Sequence, residues 1–171
     1  MSSLKGKSKM GKSSAQKQPW LPDAPPPYLG HETFMPYVLN QATAALNADF
    51  LPVLRDHGMT LLHWRVLAFL CEKTDGLGVS ALARMTGAEQ ATLSRALMVM
   101  EKAGFIVRQP GQHDQRMVVI HLLEAGKRQF QAVLPLAWGI YVRAVGGLSQ
   151  EEQQTLHYML NRIRDNMESS A

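Results

Sequence analysis

Apolar positions recur at helical spacing across residues 32–55, where Phe34, Tyr37, Val38, Ala45, Leu46 and Phe50 share a stripe. Pro36 suits the first turn of that helix, where a missing amide costs little, whereas Pro52 is expected to bend or end it. His57-Gly58 is a stop, and Thr60 is placed to cap a second helix over about 61–73. That segment is nearly all apolar through Leu62, Trp64, Val66, Leu67, Phe69 and Leu70, which puts it at the centre of the core. Asp75-Gly76-Leu77-Gly78 reads as a turn. Ser80 opens a short helix to about Met85, and Thr86-Gly87-Ala88 forms a tight corner. A further helix then runs from Glu89 to Ala103, with Thr86 and Glu89 spaced as a capping box. Leu93, Leu97 and Met100 are its inner stripe, and Gly104 closes it.

The period then changes. Phe105-Ile106-Val107-Arg108 is strand-like, 109–116 is polar with Pro110 and Gly111, and Met117 to Leu122 alternates again, giving a hairpin with a long tip. Two more helices follow over about 123–145 and 149–167, divided by Gly146-Gly147, the second opened by a Ser149/Glu152 capping box. The pattern therefore predicts a mainly α fold of six helices with a small β-hairpin.

Residues 1–30 fall outside this pattern. They hold Ser, Lys and Gly, then Pro19, Pro22 and Pro25-Pro26-Pro27, a composition too poor in apolar residues to order itself, and read as a flexible basic and proline-rich arm. Trp20, Leu21, Tyr28 and Leu29 are available to pack its end onto the body or a partner subunit. The arm also carries the chain's whole net charge of +4, through five lysines and Asp23. The remainder sums to zero, yet unevenly, and residues 84–128 are net +3. A basic middle third points to a polyanion more usefully than the global pI does. The single cysteine, Cys71, excludes an internal disulfide framework and fits a reducing, cytoplasmic setting. No apolar run is long enough to span a membrane, and the lysine-bearing start lacks the apolar stretch of a signal peptide.

Two short helices joined by a glycine corner form a helix-turn-helix, whose second helix lies in the DNA major groove. Its outward residues are Gln90, Ala91, Thr92, Ser94 and Arg95. Gln pairs bidentately with adenine and Arg with guanine, while Ala and Thr methyls meet the thymine methyl. A solvated amphipathic helix would show the same polar face. The hairpin favours DNA: a long polar tip bearing Arg108, His113 and Arg116 reads as a wing, where an Arg suits a narrow minor groove, with ordinary turn chemistry as the alternative. Asp114 is read as the partner of Arg95 or Arg116. No Ser-His-Asp constellation, phosphate loop after a strand or metal-ligand spacing appears, so an enzyme, a metal and a cofactor are not expected.

The segments Leu82-Ala83 through Gly87, Ala91-Thr92-Leu93-Ser94-Arg95-Ala96-Leu97, Glu101-Lys102-Ala103-Gly104-Phe105-Ile106, Asp114-Gln115-Arg116 and Leu122-Leu123-Glu124-Ala125-Gly126 closely resemble the MarR family of winged helix-turn-helix regulators. Met59-Thr60 and Trp64-Arg65-Val66-Leu67 match the start of that family's second helix, and the resemblance covers about 34–167. It implies a homodimer on a pseudo-palindromic operator in double-stranded DNA. Residues 31–57 and 123–171 would form the dimerisation region and 58–122 the DNA-binding lobe. Thr92, Ser94 and Arg95 fall on recognition positions and Arg116 on the wing arginine. The long arm, Ala91 in place of a common Ser, and Leu123 in place of a common Thr at a helix cap depart from the family pattern.

The resemblance also implies a repressor released by a small aromatic acid or phenol, such as a hydroxybenzoate. Such a pocket needs apolar walls and a cationic donor, and Tyr37, Asn40, His63 and Arg65 are the candidates. Arg65 stands in an apolar helix, so it either awaits an anion, pairs with Glu32, Asp49 or Asp56, or reaches solvent. His63 reads more readily as a satisfied interface histidine. The alternatives are a redox-responsive regulator through Cys71 and a winged-helix module that binds protein. Cys71 sits on the most apolar helix, which favours a buried, inert thiol.

Overall fold

In the computed structural model, the described residues are 27–28, 30–111 and 117–169. The chain divides into two compact units, Met1–Leu39 and Asn40–Ala171. Within the first, the described residues form a 3-10 turn, His31–Thr33, and the opening of helix α1, with the His31 and Tyr37 rings edge to face at 4.8 Å. Helix α1 spans Met35–Asp56 and so continues into the second unit.

The second unit is built around α2, Leu61–Glu72. Val66, Leu67 and Leu70 of α2 are buried, and the helix packs against α3 (Val79–Thr86), α4 (Gln90–Lys102) and α5 (Glu124–Ala144). The core joins these residues to Leu54, Leu82, Leu93, Leu97, Met100, Ile106, Ile120 and Val133. Trp64 completes it on one side, stacked on Phe130 at 4.5 Å and edge-on to Phe50 at 5.4 Å, so one indole connects α1, α2 and α5. Gln129 donates to the His57 carbonyl at 2.7 Å, and Arg143 pairs with Asp49, so α1 and α5 are also joined by polar contacts.

The expected hairpin is present as β2, Ile106–Pro110, and β3, Val118–Leu122, but β3 has a second neighbour. Leu77–Gly78, read from sequence as part of a turn, is strand β1, and the antiparallel order is β1-β3-β2. Two residues are too few to show a period of two, and glycines at 76 and 78 carry the local signal of a turn.

Two other expectations change. Pro52 does not end α1, which runs on to Asp56. Phe50, Val53 and Leu54 pack into the core, and that burial outweighs the roughly 3 kcal/mol a mid-helix proline costs. The Thr86/Glu89 capping box does not form. Thr86 is the last residue of α3 and its hydroxyl donates back to the Leu82 carbonyl at 2.7 Å, while Glu89 is itself the N-cap of α4. Leu123 caps α5 without a side-chain bond, as its apolar side chain requires. The Thr60 and Ser149 boxes do form; at Thr60 the reciprocal partner is His63, whose Nδ1 accepts from the Thr60 amide at 3.4 Å.

Two glycines fix the joins on either side of the recognition helix and the hairpin. Gly87 closes α3 in the left-handed region, φ 66°, and turns the chain toward α4. Gly126 allows α5 to lie against the start of the hairpin: a Cβ there would stand 2.3 Å from the Phe105 carbonyl oxygen.

Candidate nucleic-acid interface

Helix α4 has two unlike faces. Leu93, Leu97 and Met100 are buried against the core, which turns the rest of the helix outward. Gln90, Ala91, Thr92, Ser94 and Arg95 are all exposed, so the five recognition candidates share the outward side of one rigid element. The Arg95 guanidinium donates to the Thr92 hydroxyl at 3.4 Å, a contact between residues one turn apart. Nothing else restrains it in the hydrogen bonds of the described residues, so it is positioned without being consumed. The Glu89 side chain makes no capping bond, leaving the first amides of α4 without a side-chain acceptor.

The wing is tied to this helix by a bond the sequence did not reveal. Arg108, on β2, places its Nε 3.3 Å from a Glu101 carboxylate oxygen, and its backbone amide donates to the other oxygen at 3.3 Å. Glu101 thus bridges the C-terminal part of α4 to the root of the hairpin. Arg108 remains exposed, but it is a paired cation and the root strand is held by it. The other two wing candidates, His113 and Arg116, and the Asp114 pairing lie outside the described residues. Exposed Arg84 on α3 and Lys102 at the end of α4 add two cations that the pattern reading passed over.

The four effector candidates have separate surroundings. His63 and Arg65 are two residues apart on α2 and therefore point to nearly opposite sides of it. His63 is occupied as the reciprocal member of the Thr60 box, and burial pulls its imidazole below the usual histidine range, favouring the neutral ring that can accept from an amide. Arg65 does not pair with Asp49, which Arg143 holds. Its guanidinium instead donates to the Thr86 carbonyl at 3.2 Å, satisfying an orphan carbonyl at the end of α3. Asn40 is exposed on α1, and Tyr37, also exposed, belongs to the first unit beside His31. A small apolar cleft between α1 and α5 is lined by Leu46, Asn47, Phe50, Ala137, Ile140 and Tyr141, none of them among those four. Burial pushes the Cys71 thiol up despite nearby Lys127, with Glu72 adding to the rise, so the thiol stays protonated and little reactive.

The remaining surface feature is apolar. Helix α6, Gln150–Glu168, has no buried residue, and Leu156, Tyr158, Met159 and Leu160 are exposed along it. Trp138, Tyr141 and Val142 are exposed on the second half of α5. Among the described residues no three His, Cys, Asp or Glu side chains come together as a metal site, and no helix is long and apolar enough to cross a membrane.

Comparison with known proteins places this geometry. A model described as the MarR family matches residues 57–117, the span from the stop before α2 to the residue before β3. The HTH-type transcriptional regulator FarR of Neisseria gonorrhoeae is 32% identical over 95 residues, covering 56% of this chain and 64% of FarR. The chain spans between about half and two thirds of the length of the first curated relatives it matches. Among solved structures, a MarR-family transcriptional regulator from Silicibacter pomeroyi is similar at a TM-score of 0.73 and 29% identity, covering 80% of this chain and 92% of that one. NadR, solved in complex with 4-hydroxyphenylacetate, is similar at a TM-score of 0.69 and 27% identity, covering 75% of this chain and 91% of its own.

Proposed function

We propose that the chain is a winged helix-turn-helix protein of the MarR family, whose model matches residues 57–117, and that it is a homodimeric, sequence-specific DNA-binding transcription regulator, not an enzyme, that acts in the cytoplasm. The observation that carries this reading is the outward face of α4: Gln90, Ala91, Thr92, Ser94 and Arg95 are exposed together on a helix pinned by three buried residues. Hydroxyl, amide and guanidinium groups on one face match base edges and phosphates, and they are poor material for the core of a protein interface. His113 and Arg116 at the wing tip are assigned to the backbone and minor groove on the same reading, with Arg108 bracing the wing root through Glu101.

Dimerisation is supported by α6 and the second half of α5, whose apolar residues are exposed among the described residues. A second copy laid against them gives an isologous interface and presents two α4 helices to one duplex. A dimer covering promoter DNA excludes polymerase, so repression is the default consequence of binding.

The effector in this reading is a small aromatic carboxylate or phenol of the hydroxybenzoate kind. Support comes from the similar NadR, whose solved complex holds 4-hydroxyphenylacetate. Of the four candidates, this reading keeps Arg65 as the effector contact, because its guanidinium is engaged at the Thr86 carbonyl. An anion drawing Arg65 away would release the carbonyl at the helix-turn-helix corner, and only such a difference between liganded and DNA-competent states shifts the equilibrium. The test is a mobility shift with the DNA upstream of the protein's own gene, titrated with benzoates and phenols. A retarded band that one compound abolishes is the expected result. A band that never forms refutes the DNA reading, and a band that no compound affects refutes the effector.

A further inference from the structure

Beyond the polar face, α4 exposes two apolar side chains that the fold does not use. Met98 is 62% and Val99 57% exposed, on a helix whose core contacts are already supplied by Leu93, Leu97 and Met100. At 100° per residue Ala91, Arg95, Met98 and Lys102 form one outward stripe, with Val99 beside it on the flank of Thr92. Each of the two apolar residues lies three or four positions from both Arg95 and Lys102, so the pair is an apolar island between two exposed cations. The only acidic residue inside α4, Glu101, is already held by Arg108. An apolar partner protein would have to desolvate those cations, whereas a duplex offers phosphates to them and an apolar group between: the 5-methyl of thymine, the one hydrophobic feature of the major-groove floor.

We propose that Met98 and Val99 read thymine methyl groups and are specificity-determining residues of this protein. The inference rests on the DNA-binding reading and deepens it. It extends base readout past the first two turns of α4, beyond the five recognition candidates, and it assigns to the inner part of the half-site a preference for thymine that hydrogen bonding does not supply. Sequence reading passed over the pair because Met and Val on a helix are ordinarily core.

The test uses the full chain and a duplex selected by it from a random pool. Each thymine of that duplex is replaced in turn by uracil, which removes the methyl and leaves every hydrogen-bonding group in place. At one or more thymines per half-site the wild-type protein should lose about threefold to fivefold in affinity, the worth of one buried methyl. The Met98→Ala/Val99→Ala double variant should lose that thymine preference at one or more of these positions while keeping its far-ultraviolet circular dichroism and its salt dependence. Wild-type indifference to uracil at every position overturns the proposal, as does a double variant that keeps the wild-type ratio. If uracil has no effect and the double variant instead loses a higher oligomer, the patch is a contact between copies, which also overturns it. A pool that yields no bound duplex sinks the DNA reading itself and this inference with it.

Discussion

The middle of the chain and its C-terminal helices spend their apolar residues in opposite ways. From Met59 to Ile120 the buried set is continuous: Met59, Val66, Leu67, Leu70, Leu82, Leu93, Leu97, Met100, Ile106 and Ile120 close on one another inside one subunit. Between Trp138 and Glu168 the chain is as clearly amphipathic, yet Trp138 is 61% exposed, Tyr158 60% and Met159 55%. The same hydrophobic effect acts on both regions. The first has its partner surfaces within the subunit, extended by Leu54 and Val133; the second stays exposed among the described residues, as the proposed dimer requires. The lobe is thus a packed module that presents α4, and on the proposed reading the C-terminal helices set how many copies of α4 meet the duplex.

The comparison breaks most severely if the lobe core is opened. Leu67→Ala removes a fully buried side chain from the helix that α3, α4 and α5 pack on, and should cost about 2–5 kcal/mol of unfolding free energy in urea titrations. A loss no larger than that of an exposed position would contradict the central place of α2. Leu160→Asp, by contrast, should leave the lobe folded and convert the dimer to monomer in sedimentation velocity. Duplex affinity should then fall about 100-fold as bivalent engagement is lost. A variant that stays dimeric moves the interface away from α6.

Smaller effects sharpen the picture within the lobe. Arg95→Ala should weaken duplex binding by about 1–3 kcal/mol and relax base preference at one position per half-site. Retained preference would leave Arg95 a positioning role beside Thr92. The smallest effect is at His63. Its folded-state imidazole is held below its unfolded value by burial, so the folded protein binds fewer protons than the unfolded chain. The associated stability is complete above the unfolded value and is lost as pH falls below it toward the folded one. Melting temperature should therefore drop between about pH 7 and pH 5, near the ordinary histidine range. His63→Gln, which keeps an acceptor at the third position of α2, should flatten that drop without removing the cap. An unchanged slope would place the titration at another histidine.

What the sequence made legible divides along similar lines. The period of Leu93, Leu97 and Met100 oriented α4 and so identified its exposed face, and Thr60 and Ser149 marked helix starts, because each of those signals lies within one or two turns of chain. The misread features depend on distant residues. The β1 pairing of Leu77 needs Ile120, the continuation through Pro52 needs the core beneath Leu54, and the clasp of Arg108 needs Glu101 from another element. The effector candidates are the extreme case: residues on different helices meet only if packing brings them together, and two on one helix at a spacing of two, His63 and Arg65, diverge. An arginine in an apolar helix announces that it needs a partner, but the Thr86 carbonyl that Arg65 engages has no sequence signature.

The central claim is that two α4 helices, set by the terminal helices, enter successive major grooves on one face of DNA. Hydroxyl-radical footprinting of the full chain on a bound duplex measures this directly. The account requires two protected patches of equal depth, centred about 10 base pairs apart on the same face. A single patch, or protection spread evenly along the duplex, would show that α4 does not dock in pairs.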